Sequence, residues 1–446
     1  MHVDGRSLID RPLSVVTVTA PSVSASGRAL TATPVDARRA RLLLCAVVLA
    51  TSAFAIRYYD GHDFLNNVWA PIHGLLAGFN PYNPAHLEYY LRYNVPVEAG
   101  LYLPSALLLH APLALLSQSH SADIMALLDV ALMWLGVLLL IPPRTSLSCL
   151  AAGTAGALLV VSAPAQDTIF LGQLSAWAFA GLALLVASLR EDASAKWLPA
   201  IGVTFVALKP QSAIPIFIAM AILRYWQVLA RSAAMLAVTS LPGAVLFIHA
   251  AGSPLAMIRT VTSNLNHLSN LPPNDLTNAG NIRIDALGIL SHLDGPALTG
   301  LGWTAINLAV ATGLLLLVLR AVGGRASRTL ADPYVMTVVA LYIVLSLVHL
   351  SYDQLLLYVG PLAALGIRAE GEALSRRSQA VAASGIALAA AGILFRAGFR
   401  TRMMDSPLSF LPVHEIWISL PTLVGVVIVA GGLALNRAGL LSDSAR

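Results

Sequence analysis

The sequence predicts an all-α fold, a polytopic bundle of transmembrane helices. Three observations predict it. Of 446 residues, 57% are hydrophobic and only 11% are charged, whereas a soluble domain carries about 25% charged residues. The mean hydropathy is +0.75. The apolar residues gather in long runs separated by shorter polar stretches, as expected of segments that must cross a hydrocarbon core about 30 Å thick. A soluble enzyme, a secreted domain and a disordered scaffold are excluded, because none could cover its surface with so little charge.

Taken in order, residues 1–37 hold Ser, Thr, Pro and Val with scattered Arg. They lack the charged start and immediate apolar core of a signal peptide, and read as a disordered cytoplasmic tail. Arg38, Arg39 and Arg41 close it. Apolar segments follow at 41–57, 101–118, 122–141, 147–163, 169–189, 197–209, 212–224, 229–251, 297–320, 333–350, 354–368, 379–395 and 413–435. Cytoplasmic ends of spans are enriched in Lys and Arg, and this rule sets the count. The first arginines place the N-terminus inside and residues 58–100 outside. If 101–118 crossed, Arg144 and the Arg190–Lys196 loop would lie outside. If it does not, Arg144, Arg190, Lys196, Arg224, Arg231, Arg320, Arg325, Arg328, Arg368, Arg376, Arg377 and Arg437 all fall inside. The expectation is therefore about 12 spans with both termini cytoplasmic. Segment 101–118, broken by Pro104 and Pro112, becomes an interfacial or re-entrant helix. The units are a tail (1–37), a transmembrane catalytic module (38–370) and C-terminal helices with a short tail (371–446).

The remaining composition is restrictive. Lys and Arg number 27 against 22 Asp and Glu, a net charge of +5. No basic cluster is interleaved with aromatics, so nucleic acid is not an expected partner. Cys45 and Cys149 both lie in apolar runs and form neither a disulfide framework nor a metal spacing; both read as small buried hydrophobes. A phosphate-binding GxxxxGK[ST] and a dinucleotide-binding GxGxxG are absent. No cofactor and no metal are expected.

Polar chemistry collects in the predicted external loops. Asp60 and Asp63 follow the first span, where a partly desolvated carboxylate suits a general base; each is also compatible with a solvated loop position. Asn80-Pro81-Tyr82 is turn chemistry. Gln173, after Gly172, offers a hydrogen-bonding group for a sugar hydroxyl or for a neighbouring helix. Lys209, between two short apolar runs, is an ammonium at membrane depth, a costly placement that points to function. His349, Tyr352 and Asp353 lie at another external boundary, where they could bind phosphate or cap the next helix. Arg283 sits in the long loop 252–296. Asp129, inside a span, reads as a bundle-facing partner for a polar residue.

Several of these residues stand in an order that resembles glycosyltransferase family 87, membrane mannosyltransferases of the GT-C superfamily. The likeness runs through Asp63-Phe64, Trp69-Ala70, Gly78 and Asn80-Pro81-Tyr82. It continues with Tyr102-Leu103-Pro104, Pro112-Leu113-Ala114-Leu115-Leu116, Gly172-Gln173, Lys209-Pro210 and Tyr352-Asp353-Gln354-Leu355, covering about residues 58–370. The chain departs from the family at Gly280-Asn281-Ile282-Arg283, where members often carry Asn-Gln-Ser. The resemblance implies a GT-C-type bundle and an inverting mannosyltransferase at the outer face of the cell membrane. Its donor would be a polyprenyl-phosphate sugar and its acceptor a glycolipid or polysaccharide, as in actinobacterial enzymes that build phosphatidylinositol mannosides and lipomannan.

On that reading Asp63 is the base and Asp60 its reserve. Lys209, His349 and Arg283 neutralise the leaving phosphate. Gln173, Tyr352, Asp353, Asn80 and Tyr82 hold substrate. Two alternatives remain open: polyprenyl-phosphate arabinose as donor, and a transporter or flippase for a lipid-linked sugar. The second class more often shows internal repeats, and none is visible here.

Overall fold

A computed structural model describes residues 34–57, 59–81, 102, 104–191, 197–269, 284–292, 300–323, 329–394 and 413–443. Among these residues the chain is helical, with no strand. Among the described residues, four helices are long and apolar enough to cross a membrane: α1 (Pro34–Ile56), α5 (Gln118–Leu140), α11 (Trp226–Ala251) and α14 (Leu301–Ala321). A fifth crossing is made if α6 (Ser146–Val161) and α7 (Ala163–Leu171), bent by 62° across Ser162, count as one. The fold is that of a helical membrane protein. Between α1 and α4 (Pro104–Ala114) lie α2 (His62–Phe64), a π-helical turn (Leu65–Trp69) and α3 (Ala70–Leu76).

The remaining elements are shorter. They comprise α8 (Ser175–Arg190), α9 (Leu198–Val206), α10 (Pro210–Ile222), α12 (Pro254–Ser269), α13 (Ala286–His292) and α15 (Pro333–Ser346). A 3-10 helix (Ser351–Tyr358) leads into α16 (Val359–Ala369), then α17 (Arg376–Leu394) and α18 (Val413–Asp443). Several run shorter than the apolar segments that contain them. At about 1.5 Å per residue, the nine residues of α9 reach roughly half the hydrocarbon thickness. Segment 169–189 is divided by Gly172, whose φ of +70° ends α7 in a left-handed cap, the conformation glycine adopts without a Cβ penalty. Segment 354–368 begins inside a 3-10 helix. Among the described residues of segment 101–118, α4 spans 11 residues, with Pro112 in its last turn.

The core forms around α15 and α8. Nearly every residue of α15 is buried. Helices α8 and α9 cross at Gly181 and Gly202, where a Cβ on either would come within 2.6 Å of the other's carbonyl oxygen. Without side chains there, the two backbones can touch, and dispersion contacts replace the hydrophobic drive that lipid does not supply. By contrast, α1, α11 and α14 present many large apolar side chains outward, among them Leu49, Leu241 and Leu314, as lipid-facing helices do. Cys149 is buried, but Cys45 is exposed on α1, because its neighbour Leu44 takes the inward position.

Candidate functional site

The polar residues meet where α7 ends and α8 begins. The turn through Gly172 is held against the loop after α1: Asp60 N and Gly61 N both donate to Phe170 O, at 3.2 and 2.8 Å. A Cβ on Gly172 would lie 2.6 Å from Phe64 Cβ, so the two segments are in direct contact. That contact sets Gln173 beside Asp63. Gln173 Nε2 donates to Asp63 Oδ2 at 2.5 Å, and Tyr102 Oη donates to Gln173 Oε1 at 3.0 Å. Gln173 is buried, whereas Asp63 is half-buried. The carboxylate is thus aimed by an amide and still partly open. The π-turn that follows it buries Asn66 and Trp69; such turns are rare and recur at functional sites.

Two residues beyond Gln173, the first turn of α8 builds a second polar group. Lys209 Nζ donates to Asp353 Oδ1 at 2.5 Å and to Ser175 Oγ at 3.1 Å. Ser175 Oγ in turn donates to the same Asp353 oxygen at 2.6 Å. Lys209 and Asp353 are each 1% exposed. The ammonium also stands 4.5 Å from the centre of the Tyr352 ring, close enough for a cation–π contact. Asp353 Oδ2 accepts a long bond from Leu350 N at 3.4 Å. The carboxylate is therefore first an ion-pair partner and only secondarily a helix cap.

His349 completes this group. Its Nδ1 lies 3.1 Å from Leu347 O. A carbonyl only accepts, so Nδ1 carries the proton. Nε2 lies 3.2 Å from Ser212 Oγ, and Ser212 belongs to the first turn of α10, its N–H bonded to Lys209 O at 3.0 Å. Asp167, one turn before Gly172, accepts from Ser351 Oγ at 3.2 Å. Gln173 and Ser175 are two residues apart, at most about 7 Å along an extended chain, so the two polar groups are neighbours.

Asp63, Gln173, Lys209, His349, Tyr352 and Asp353 are thus brought to one end of the bundle. Asp60 is exposed at its edge. Asn80 is buried in the turn after Gly78, on the far side of α3 in sequence. Tyr82 and Arg283 lie outside the described residues. Near Asp60, burial and then the carboxylates of Asp129, Asp123 and Asp60 push the Tyr59 phenol well above its usual value. Burial lowers His73, which stacks on Trp69 at 4.8 Å.

Two readings gain partners and one expectation changes. Lys209 and Asp353, read separately as phosphate and substrate ligands, are each other's partners. Gln173 meets a carboxylate, not only a free sugar site. Asp129 is fully buried on α5, yet neither carboxylate oxygen has a hydrogen-bond partner among the described residues. Ser175 and Ser212 went unread because a serine in an apolar run carries no signal until the helices are packed. The described residues hold no group of three or more metal-type ligands. An apolar cavity of about 320 Å³ between α1 and α6, lined by residues such as Leu44, Val47 and Cys149, is away from this chemistry. Comparison with protein-family models, curated proteins and solved structures finds no match.

Proposed function

We propose that this protein is an inverting glycosyltransferase that moves mannose from a polyprenyl-phosphate donor to a glycolipid or glycan acceptor. The observation that carries the reading is the segment Gln173-Leu174-Ser175. One side chain holds Asp63 and the other joins Lys209 to Asp353, so a base and a cation flank one short stretch of backbone.

In the reaction, the acceptor oxygen forms a bond to the anomeric carbon while its proton passes to Asp63. The bond from that carbon to the phosphate oxygen breaks on the opposite face, and its electron pair leaves with the phosphate. A single base suffices for inversion because the phosphate is already a good leaving group. Gln173 aims the carboxylate. The Lys209 ammonium and, once protonated, the His349 ring would take up the developing phosphate charge, which competes with Asp353 for the ammonium. In a water-poor site such charge stabilisation is strong. Polyprenyl-phosphate arabinose remains the alternative donor.

The accompanying orientation has about 12 crossings and both termini in the cytoplasm. The site then opens on the outer face, and the rim with Arg144, Arg190, Arg368 and Arg377 lies inside, in line with the preference of cytoplasmic ends for basic residues.

The test is transfer from radiolabelled polyprenyl-phosphate mannose or arabinose by purified protein in liposomes. Asp63→Asn should lower turnover about 10²- to 10⁴-fold while the donor still binds. Unchanged turnover would remove Asp63 from the role. The competing reading is a transporter or flippase, favoured by Asp129, whose carboxylate within a span has no hydrogen-bond partner among the described residues, since intramembrane carboxylates often mark translocation paths. Net movement of lipid-linked sugar across the bilayer without transfer would establish it instead.

A further inference from the structure

Beneath the site lies a small apolar core that touches both of its polar halves. It includes Phe64, next to Asp63, Leu174, between Gln173 and Ser175, and Leu208, next to Lys209. Helix α4 contributes His110 to this floor, 1% exposed. His110 Nδ1 lies 2.7 Å from Ala106 O. A carbonyl only accepts, so Nδ1 donates and Nε2 of the neutral ring is left as an acceptor. Nε2 is buried and has no hydrogen-bond partner among the described residues. Trp177, one half-turn beyond Ser175 on α8, meets the same imidazole edge to face, with ring centres 5.4 Å apart. Its Nε1 donor is likewise buried and, among the described residues, unpaired. Phe64 meets the imidazole edge-on as well, at 6.2 Å.

A buried donor or acceptor without a partner is destabilising, and native structures pair the large majority of them. Here, among the described residues, an unpaired acceptor and an unpaired donor stand in adjoining rings, in contact with Phe64, the residue after a half-buried carboxylate. A hydroxyl group satisfies both at once, donating to one nitrogen and accepting from the other. Carboxylates, phosphates and ammonium ions cannot, since each offers only one of the two roles.

We propose that His110 and Trp177 form a hydroxyl-recognition subsite that reads one hydroxyl of the transferred sugar. The inference rests on the glycosyltransferase reading and names the part of the substrate this floor selects. Phe64 and Trp177 close the imidazole off, so a sugar reaching Nε2 turns one of those rings. Because Phe64 follows Asp63 directly, that movement couples sugar recognition to the position of the base.

The experiment is direct binding to purified protein in detergent. The probes are polyprenyl-phosphate mannose, its four monodeoxy analogues and sugar-free polyprenyl phosphate. Wild type should lose about 10- to 100-fold in affinity for one deoxy analogue, the range expected when a buried donor or acceptor is left without its partner. His110→Phe should bind the full sugar as poorly as wild type binds that analogue, and should show no further loss with the analogue itself. Its affinity for sugar-free polyprenyl phosphate should match wild type. Trp177→Phe, which removes the Nε1 donor and keeps an aromatic ring, should repeat the pattern and serves if His110→Phe fails to fold. The proposal is overturned if the variants discriminate every deoxy sugar as wild type does, or if they lose sugar-free lipid equally. If wild type binds no lipid-linked sugar at all, the parent glycosyltransferase reading falls and takes the subsite with it.

Discussion

The two ends of α8 carry the same kind of contact in opposite surroundings. Beyond its last residue, Glu191 bonds Arg144 at 3.0 Å, and Arg144 also reaches Glu370 at 3.2 Å; the Arg144 and Glu191 side chains are 60% and 66% exposed. At its first turn, Ser175 joins Lys209 to Asp353, each 1% exposed. At the exposed end, solvent and salt screen the charges, and such pairs contribute about 0–1 kcal/mol. At the buried end each charge has been stripped of water and depends on its partner. The exposed arginine marks an end of the bundle. The buried pair fixes geometry, since neither member can leave without exposing the other.

Four substitutions would break or sharpen this contrast. The largest effect belongs to Lys209→Met, which leaves Asp353 buried and unpaired. It should cost about 3–5 kcal/mol, read as a lower thermal unfolding midpoint in detergent. Adding Asp353→Leu should restore much of that stability and none of the transfer activity. Two losses that simply add would show that the residues are not coupled. Next comes Gly172→Ala. Its Cβ would meet Phe64 at 2.6 Å, and the backbone holds φ +70°. Left-handed strain and overpacking together suggest a cost of roughly 2–4 kcal/mol, with a loss of transfer because Gln173 no longer reaches Asp63. A wild-type midpoint and turnover in this variant would deny the close approach. The smallest effect should be Arg144→Ala, below about 1 kcal/mol and shrinking further as salt rises. The deficit of Lys209→Met should not move with salt. Equal salt sensitivity of the two would erase the distinction between the ends.

Much of the site was legible residue by residue. Lys209 drew attention because an ammonium in an apolar sequence is costly wherever it sits, and Asp63 because it follows a span. Gly172 was visible as a glycine beside a glutamine, but its left-handed conformation was not. The helix breaks were harder still. Segment 169–189 reads as one apolar run because Leu171, Gly172 and Leu174 do not lower its hydropathy enough to reveal a cap. Segment 354–368 hides a 3-10 turn for the same reason, since Leu355, Leu356 and Leu357 favour burial in either kind of helix. Ser175 and Ser212 gave no sign at all. A serine's role depends on what its hydroxyl touches, and Asp353 and His349, which these two meet, lie more than 100 positions away along the chain.

The sequence alone determined the class of this protein and the residues worth weighing. Hydropathy acts locally, so 57% apolar and 11% charged residues suffice to require a membrane and to make each remaining charge conspicuous. Tertiary structure decided the pairings. It matched Lys209 to Asp353 and Gln173 to Asp63, and among the described residues it left His110, Trp177 and Asp129 with buried polar atoms unpaired. Such pairings are set by which helices can approach closely, as α8 and α9 do at Gly181 and Gly202. That approach depends on shapes brought together from distant parts of the chain, and no local pattern records it.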